Sequence, residues 1–132
     1  MAGETNLAAL LRTMAPELNS GDFVFCTVPD LASIAKADII CLLREKEGAT
    51  LILEKDRADA LGLSYSFVAA WITLKVHSAL EAVGLTAAFS KALAENSISC
   101  NVVAGYYHDH LFVAKEDATK AINVLQRLSL ES

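Results

Sequence analysis

The feature that most constrains this chain is the order of periodicities in its second half. From Phe67 to His77 the pattern has period two: Val68, Ala70, Ile72, Leu74 and Val76 fall on one face, and Ala69, Trp71, Thr73, Lys75 and His77 on the other. The pattern then becomes helical. Leu85, Ala88, Phe89, Ala92 and Leu93 recur at helical spacing, Ile98 to Ala104 and Leu111 to Val113 read as strands, and Ala118, Ala121, Ile122, Leu125 and Leu128 stripe a last helix. Glu116 and Lys120 support the outer face of that helix at i, i+4. The order β-α-β-β-α requires an antiparallel sheet covered by helices.

The first half follows a related plan. Leu7, Leu10, Leu11 and Met14 predict an amphipathic helix, which Pro16, Asn19 and Gly21 are expected to end. Phe23 to Val28 reads as a strand, and Ile39 to Arg44 and Thr50 to Glu54 flank the polar turn Glu45-Lys46-Glu47-Gly48 as a hairpin. A short helix over Asp56 to Leu61 is stopped by Gly62. No first strand precedes Leu7, so this half is incomplete unless it borrows one. The expected architecture is α/β in the sense of an α+β sandwich: two tandem ferredoxin-like modules, residues 1–65 and 66–132, joined without a Gly, Pro or Ser-rich linker.

Composition narrows the function. At 132 residues and 54% hydrophobic the chain can bury a real core, yet no apolar run reaches the roughly 18 residues that a spanning helix needs. Met1 to Asn6 lacks a basic region and Arg12 interrupts the segment after it, so no targeting signal is read and a cytoplasmic location is expected. Sixteen acids against 11 bases, with no basic stripe, leave nucleic acid and anionic membrane without an electrostatic footing. Cys26, Cys41 and Cys100 sit in apolar stretches without metal spacing and read as reduced core thiols. P-loop, GxGxxG, HExxH and GxSxG patterns are all missing, so neither an enzyme nor a cofactor is expected.

The run from Gly84 to Val102, GLTAAFSKALAENSISCNV, resembles the strand-loop-helix-strand core of ACT domains, the amino-acid-sensing modules attached to aspartate kinases and related enzymes. With Phe25-Cys26-Thr27-Val28, Glu45 to Leu53, Trp71-Ile72-Thr73, Val76-His77-Ser78 and Ala104 to His110, nearly the whole chain is similar to small stand-alone proteins built from two ACT domains. The resemblance implies a non-catalytic regulatory or sensor protein. It would bind a small ligand, an amino acid by analogy, at a module or subunit interface, and would form a homodimer. An adaptor without a ligand is the alternative.

The residues at the predicted helix start agree with a ligand site. Gly84 permits a tight entry, after which the N–H groups of Leu85, Thr86 and Ala87 face outward at the positive end of the helix dipole. A carboxylate there gains about 0.3–1 kcal/mol, up to about 2 when partly buried, whereas micromolar affinity needs about 8 kcal/mol. Ser78, Glu81 and Asn101 are the further partners expected, with Glu81 balancing an ammonium group. The bland alternative makes Gly84 a helix-start glycine, Thr86 a first-turn residue and Asn101 a strand-edge amide. His108 and His110, on one face of an extended segment, are a weaker metal alternative that would need His77 as third ligand; otherwise they sit at the rim of a hairpin.

Overall fold

The computed structural model describes residues 6–76 and 82–132. Helix α1 (Leu7–Thr13) leads into strand β1 (Ala15–Val28). A 3-10 turn at Lys36–Asp38, the hairpin β2 (Cys41–Glu45) and β3 (Gly48–Glu54), and helix α2 (Lys55–Ala60) follow. Then come β4 (Val68–Lys75), α3 (Leu85–Glu95), β5 (Asn101–Ala104), β6 (Asp109–Ala114), a 3-10 turn at Lys115–Asp117 and α4 (Ala118–Leu130).

The chain forms two compact units. One joins the segment up to Asn19 with Ala70–Ser132; the other is Ser20–Ala69. In the first, β4, α3, β5, β6 and α4 follow the predicted order. The strands lie as β5-β6-β4-β1, so that Ala15–Asn19 of β1 takes the fourth place beside β4. The second unit contains β1 from Ser20 onward, β2, β3 and α2, with strand order β2-β3-β1, and ends at Val68-Ala69, where β4 begins. Both are antiparallel ferredoxin-like sheets with helices.

The core of the first unit is laid down by the alternation and stripes seen in the sequence. Ala70, Ile72, Leu74 and Val76 from β4 and Leu111 and Val113 from β6 meet Leu85, Phe89 and Leu93 of α3 and Ala121, Val124 and Leu125 of α4. Leu10, Leu11 and Met14, in and just after α1, complete it. Each large side chain here that is fully buried contributes about 1.5–3 kcal/mol. Asn6 starts α1 by accepting the Ala9 N–H at 3.0 Å.

The second unit packs Val24, Cys26 and Val28 of β1 and Ala49, Leu51 and Leu53 of β3 under Ile34 and Ala58, with Leu31, Ile39, Leu61 and Leu63 around them. Glu45 pairs with Gly48, so Lys46-Glu47 forms the expected turn of the hairpin. Past α2, Gly62 N–H donates to the Asp59 carbonyl and Leu63 N–H to the Ala58 carbonyl, the two-bond termination that a left-handed glycine allows.

The start of β1 differs from the sequence reading. The helix ends before Pro16, but the strand expected from Phe23 begins at Ala15, so Pro16, Asn19 and Gly21 lie within a 14-residue strand. The β1–β3 ladder covers only Phe23–Val28, so Pro16 lies outside it at the start of the strand, where a missing donor is tolerated. Asn19 spends its polar side chain inside the unit, donating to the Trp71 carbonyl at 3.1 Å and to Thr73 Oγ1 at 2.9 Å. Propensity is overridden here by long-range hydrogen bonds.

Candidate functional site

Helix α3 begins as the sequence predicts. Gly84 takes the N-cap position at φ 101° and ψ −18°, a left-handed conformation that L side chains rarely adopt. A Cβ on Gly84 would sit 3.1 Å from Leu7 Cδ2, so both backbone angle and neighbour select glycine. Its carbonyl accepts the first helical bond, from Ala88 N–H at 2.9 Å. Gly84 brings no capping side chain, and no acid occupies the first turn, so nothing on α3 itself competes with an incoming anion there.

The other expected site residues fall out differently. Leu85 is 3% exposed and belongs to the core; only its N–H can serve a ligand. Thr86 is exposed and turns its hydroxyl-bearing side chain outward from the same turn. Ser78 and Glu81, and His77 of the metal alternative, lie outside the described residues. Asn101 is exposed on β5 and donates to the Phe112 carbonyl at 3.3 Å.

The histidines are also separated by role. His110 Nδ1 accepts the Trp71 indole N–H at 3.0 Å and lies 3.2 Å from Thr73 Oγ1. His108 Nδ1 has no hydrogen-bond partner among the described residues. Between them Asp109 is only 8% exposed. Burial pushes its carboxyl above the usual range, against the pull of His110 and His108. Among the described residues no three His, Cys, Asp or Glu side chains form a group able to hold a metal ion. The Asn19–Trp71–Thr73–His110 cluster escapes the sequence reading; the one signal for it is that Trp71 and Thr73 share a strand face.

The three cysteines are unpaired. Burial raises the Cys26 thiol and lifts that of Cys100 to about 11, which is unfavourable for a nucleophile. The second unit carries a 390 Å³ surface cleft lined by Pro29, Asp30 and Leu31 and by the β2–β3 turn from Arg44 to Ala49. Among the described residues, no helix is long and apolar enough to cross a membrane.

An antiparallel sheet with a glycine-opened helix after its first strand places the first unit among ferredoxin-like modules. The comparisons with known proteins are specific about which. Family models described as ACT domain match residues 2–70 and 66–127, and the chain belongs to the ACT domain family. A Vibrio cholerae protein of unknown function, described as a possible transport protein, is 52% identical, with 93% of this chain and 95% of that one covered and a TM-score of 0.84. An Agrobacterium tumefaciens protein shares the fold at 16% identity, with 88% and 89% covered and a TM-score of 0.71. The ligand-free regulatory subunit of aspartate kinase from Thermus thermophilus shares it at 11% identity, with 89% and 98% covered and a TM-score of 0.60. No curated protein matches the sequence.

Proposed function

We propose that this protein is a non-catalytic regulatory sensor that binds a small ligand, an amino acid, at the N-terminus of α3. The observation that carries the reading is the α3 start itself: Gly84 in a left-handed conformation, without a capping side chain or first-turn acid, in a chain of the ACT family. The ligand carboxylate meets the N–H groups of Leu85 and Thr86, and Ser78 and Glu81, from the preceding segment, supply the remaining partners. The fold shared with aspartate kinase regulatory subunits supports the regulatory class. A cytoplasmic homodimer belongs to the same proposal. So does the division into modules at 1–65 and 66–132, which the family matches support; the compact units add that the segment up to Asn19 packs with the second.

The test is a thermal-shift screen against the twenty amino acids. A specific ligand raises the melting temperature in proportion to the logarithm of its concentration. Thr86→Asp places a like charge against the carboxylate. It leaves the fold intact, because the residue is exposed and an acid in the first turn is itself stabilising by about 0.3–1 kcal/mol. The variant is expected to lose the shift. If no amino acid gives a shift, the sensor reading fails in favour of the adaptor; if Thr86→Asp binds like wild type, the helix-terminus site is wrong.

A further inference from the structure

Strand alternation turns Ala70, Ile72 and Leu74 of β4 and Leu111 and Val113 of β6 towards the helices. It leaves Trp71, Thr73, His110 and Phe112 on the opposite face. Thr73 and Phe112 are nonetheless only 7% and 1% exposed, and Trp71 and His110 are half-buried beside them. The Trp71 ring stacks on Phe112 at 6.0 Å and is tilted against His110 at 5.7 Å. Indole can only donate, so the bond from Trp71 Nε1 to His110 Nδ1 fixes a lone pair on Nδ1 and the proton of a neutral ring on Nε2. Thr73 Oγ1 lies beside the same nitrogen, and Asn19 Nδ2 donates both to Thr73 Oγ1 and to the Trp71 carbonyl. β4 and β6 are therefore tied through one titratable atom, and Asn19 joins β1 to the β4 side of that tie.

We propose that Asn19, Trp71, Thr73 and His110 form a pH-operated latch, closed while His110 is neutral and opened when Nδ1 takes a proton, releasing the Trp71 indole and loosening β4 against β6. A protonated Nδ1 is a donor facing the indole donor; Thr73 Oγ1, 3.2 Å away, is then its acceptor, and the indole N–H has no lone pair to meet on that ring. The side chains facing His110 from β1 and β4, those of Asn19, Trp71 and Thr73, are uncharged, and so is its cross-strand partner on β5, Val103. Further along the same face Lys75 and Glu17 pair with each other at 2.7 Å. Among the described residues the ionisable groups acting on His110 are His108, which disfavours the cation, and Asp109, which favours it. Burial is the largest influence and holds the ring neutral below its ordinary 6.5.

Trp71 is the only tryptophan, so the latch reports on itself. Emission and the indole ¹H–¹⁵N resonance of the full chain are followed from pH 8 to 5, with far-UV circular dichroism at each step. The expected result is one transition with its midpoint below 6.5, in which emission falls and the indole resonance shifts while the dichroism stays native. His108→Gln keeps the transition and His110→Gln loses it. Absence of the transition in folded wild-type protein, its persistence in His110→Gln, or its loss in His108→Gln alone overturns the proposal. Should His110→Gln fail to fold, the wild-type ring is read directly by ¹⁵N imidazole shifts. A proton on Nε2 at pH 8 is expected, and a proton on Nδ1 refutes the latch.

Discussion

Replacing Gly84 by alanine tests whether the α3 start is as constrained as its geometry implies. Alanine at φ 101° pays about 1–2 kcal/mol for leaving the right-handed regions. Its Cβ also arrives 3.1 Å from Leu7 Cδ2, tighter than ordinary van der Waals contact. Leu7 is 36% exposed and can swing aside, at about 0.5–1.5 kcal/mol for an off-rotamer side chain. Alanine returns about 0.4–1 kcal/mol by restricting the unfolded chain. The net expectation is about 0.5–3 kcal/mol of destabilisation, measured by urea unfolding. Gly62→Ala is the control, because Gly62 also has a positive φ, 69°, but a Cβ there meets nothing within 4 Å. It should cost less than Gly84→Ala by the Leu7 contribution. Adding Leu7→Ala to Gly84→Ala should recover that difference as a coupling of about 0.5–1.5 kcal/mol, above the roughly 0.3–0.5 kcal/mol scatter of additive pairs. Equal costs at Gly84 and Gly62, with no coupling to Leu7, would refute the argument that the neighbour as well as the angle selects glycine.

Stability should fall as pH drops below 6.5. His110 is held below its ordinary value in the folded state, so the unfolded chain takes up the proton first and the stabilisation present above 6.5 is lost towards acid. Asp109 has the opposite sign: its raised folded value favours the folded state in acid, and that advantage disappears as pH rises through the folded value. Urea midpoints between pH 8 and 5 should therefore slope downward in wild type and flatten in His110→Gln; equal slopes would contradict the assignment. Alkylation with iodoacetamide at pH 7.5 should modify half-exposed Cys41 first. With a value of about 11, roughly 1 in 3,000 Cys100 thiols is ionised at that pH, and Cys26 is buried as well as raised. Peptide mapping that finds Cys100 reacting as fast as Cys41 would contradict this order.

What could be read from the sequence was whatever short-range periodicity determines. The Leu85–Phe89–Leu93 stripe became the buried face of α3, and the alternating run from Val68 became β4 with Ala70, Ile72 and Leu74 inward. Gly62 and Gly84 were placed at a helix end and a helix start because few residues tolerate a positive φ. Pairings across the chain were not readable in the same way. Nothing near Asn19 announces that its amide will be consumed by Thr73, 54 residues away, so the residue reads only as part of a helix end. His110 and His108 share a strand face in any extended segment, but which ring finds an indole depends on the placement of β4 beside β6.

The same division between local and distant information governs where the strands of the first half go. A sheet of the β-α-β-β-α-β kind needs a fourth strand beside its first. In the unit built on Ala70–Ser132 that strand is Ala15–Asn19, read from the earliest part of the chain, and α1 beside it adds Leu10 and Leu11 to the same core. No described strand precedes Leu7; instead the first half gives Ala15–Asn19 of the 14-residue β1 to the unit built on Ala70–Ser132 and keeps the part from Ser20 with β2 and β3. Modules of about 65 residues bury too little surface to be robust alone. Giving a strand of one sequence half to the unit built on the other enlarges the core without lengthening either half.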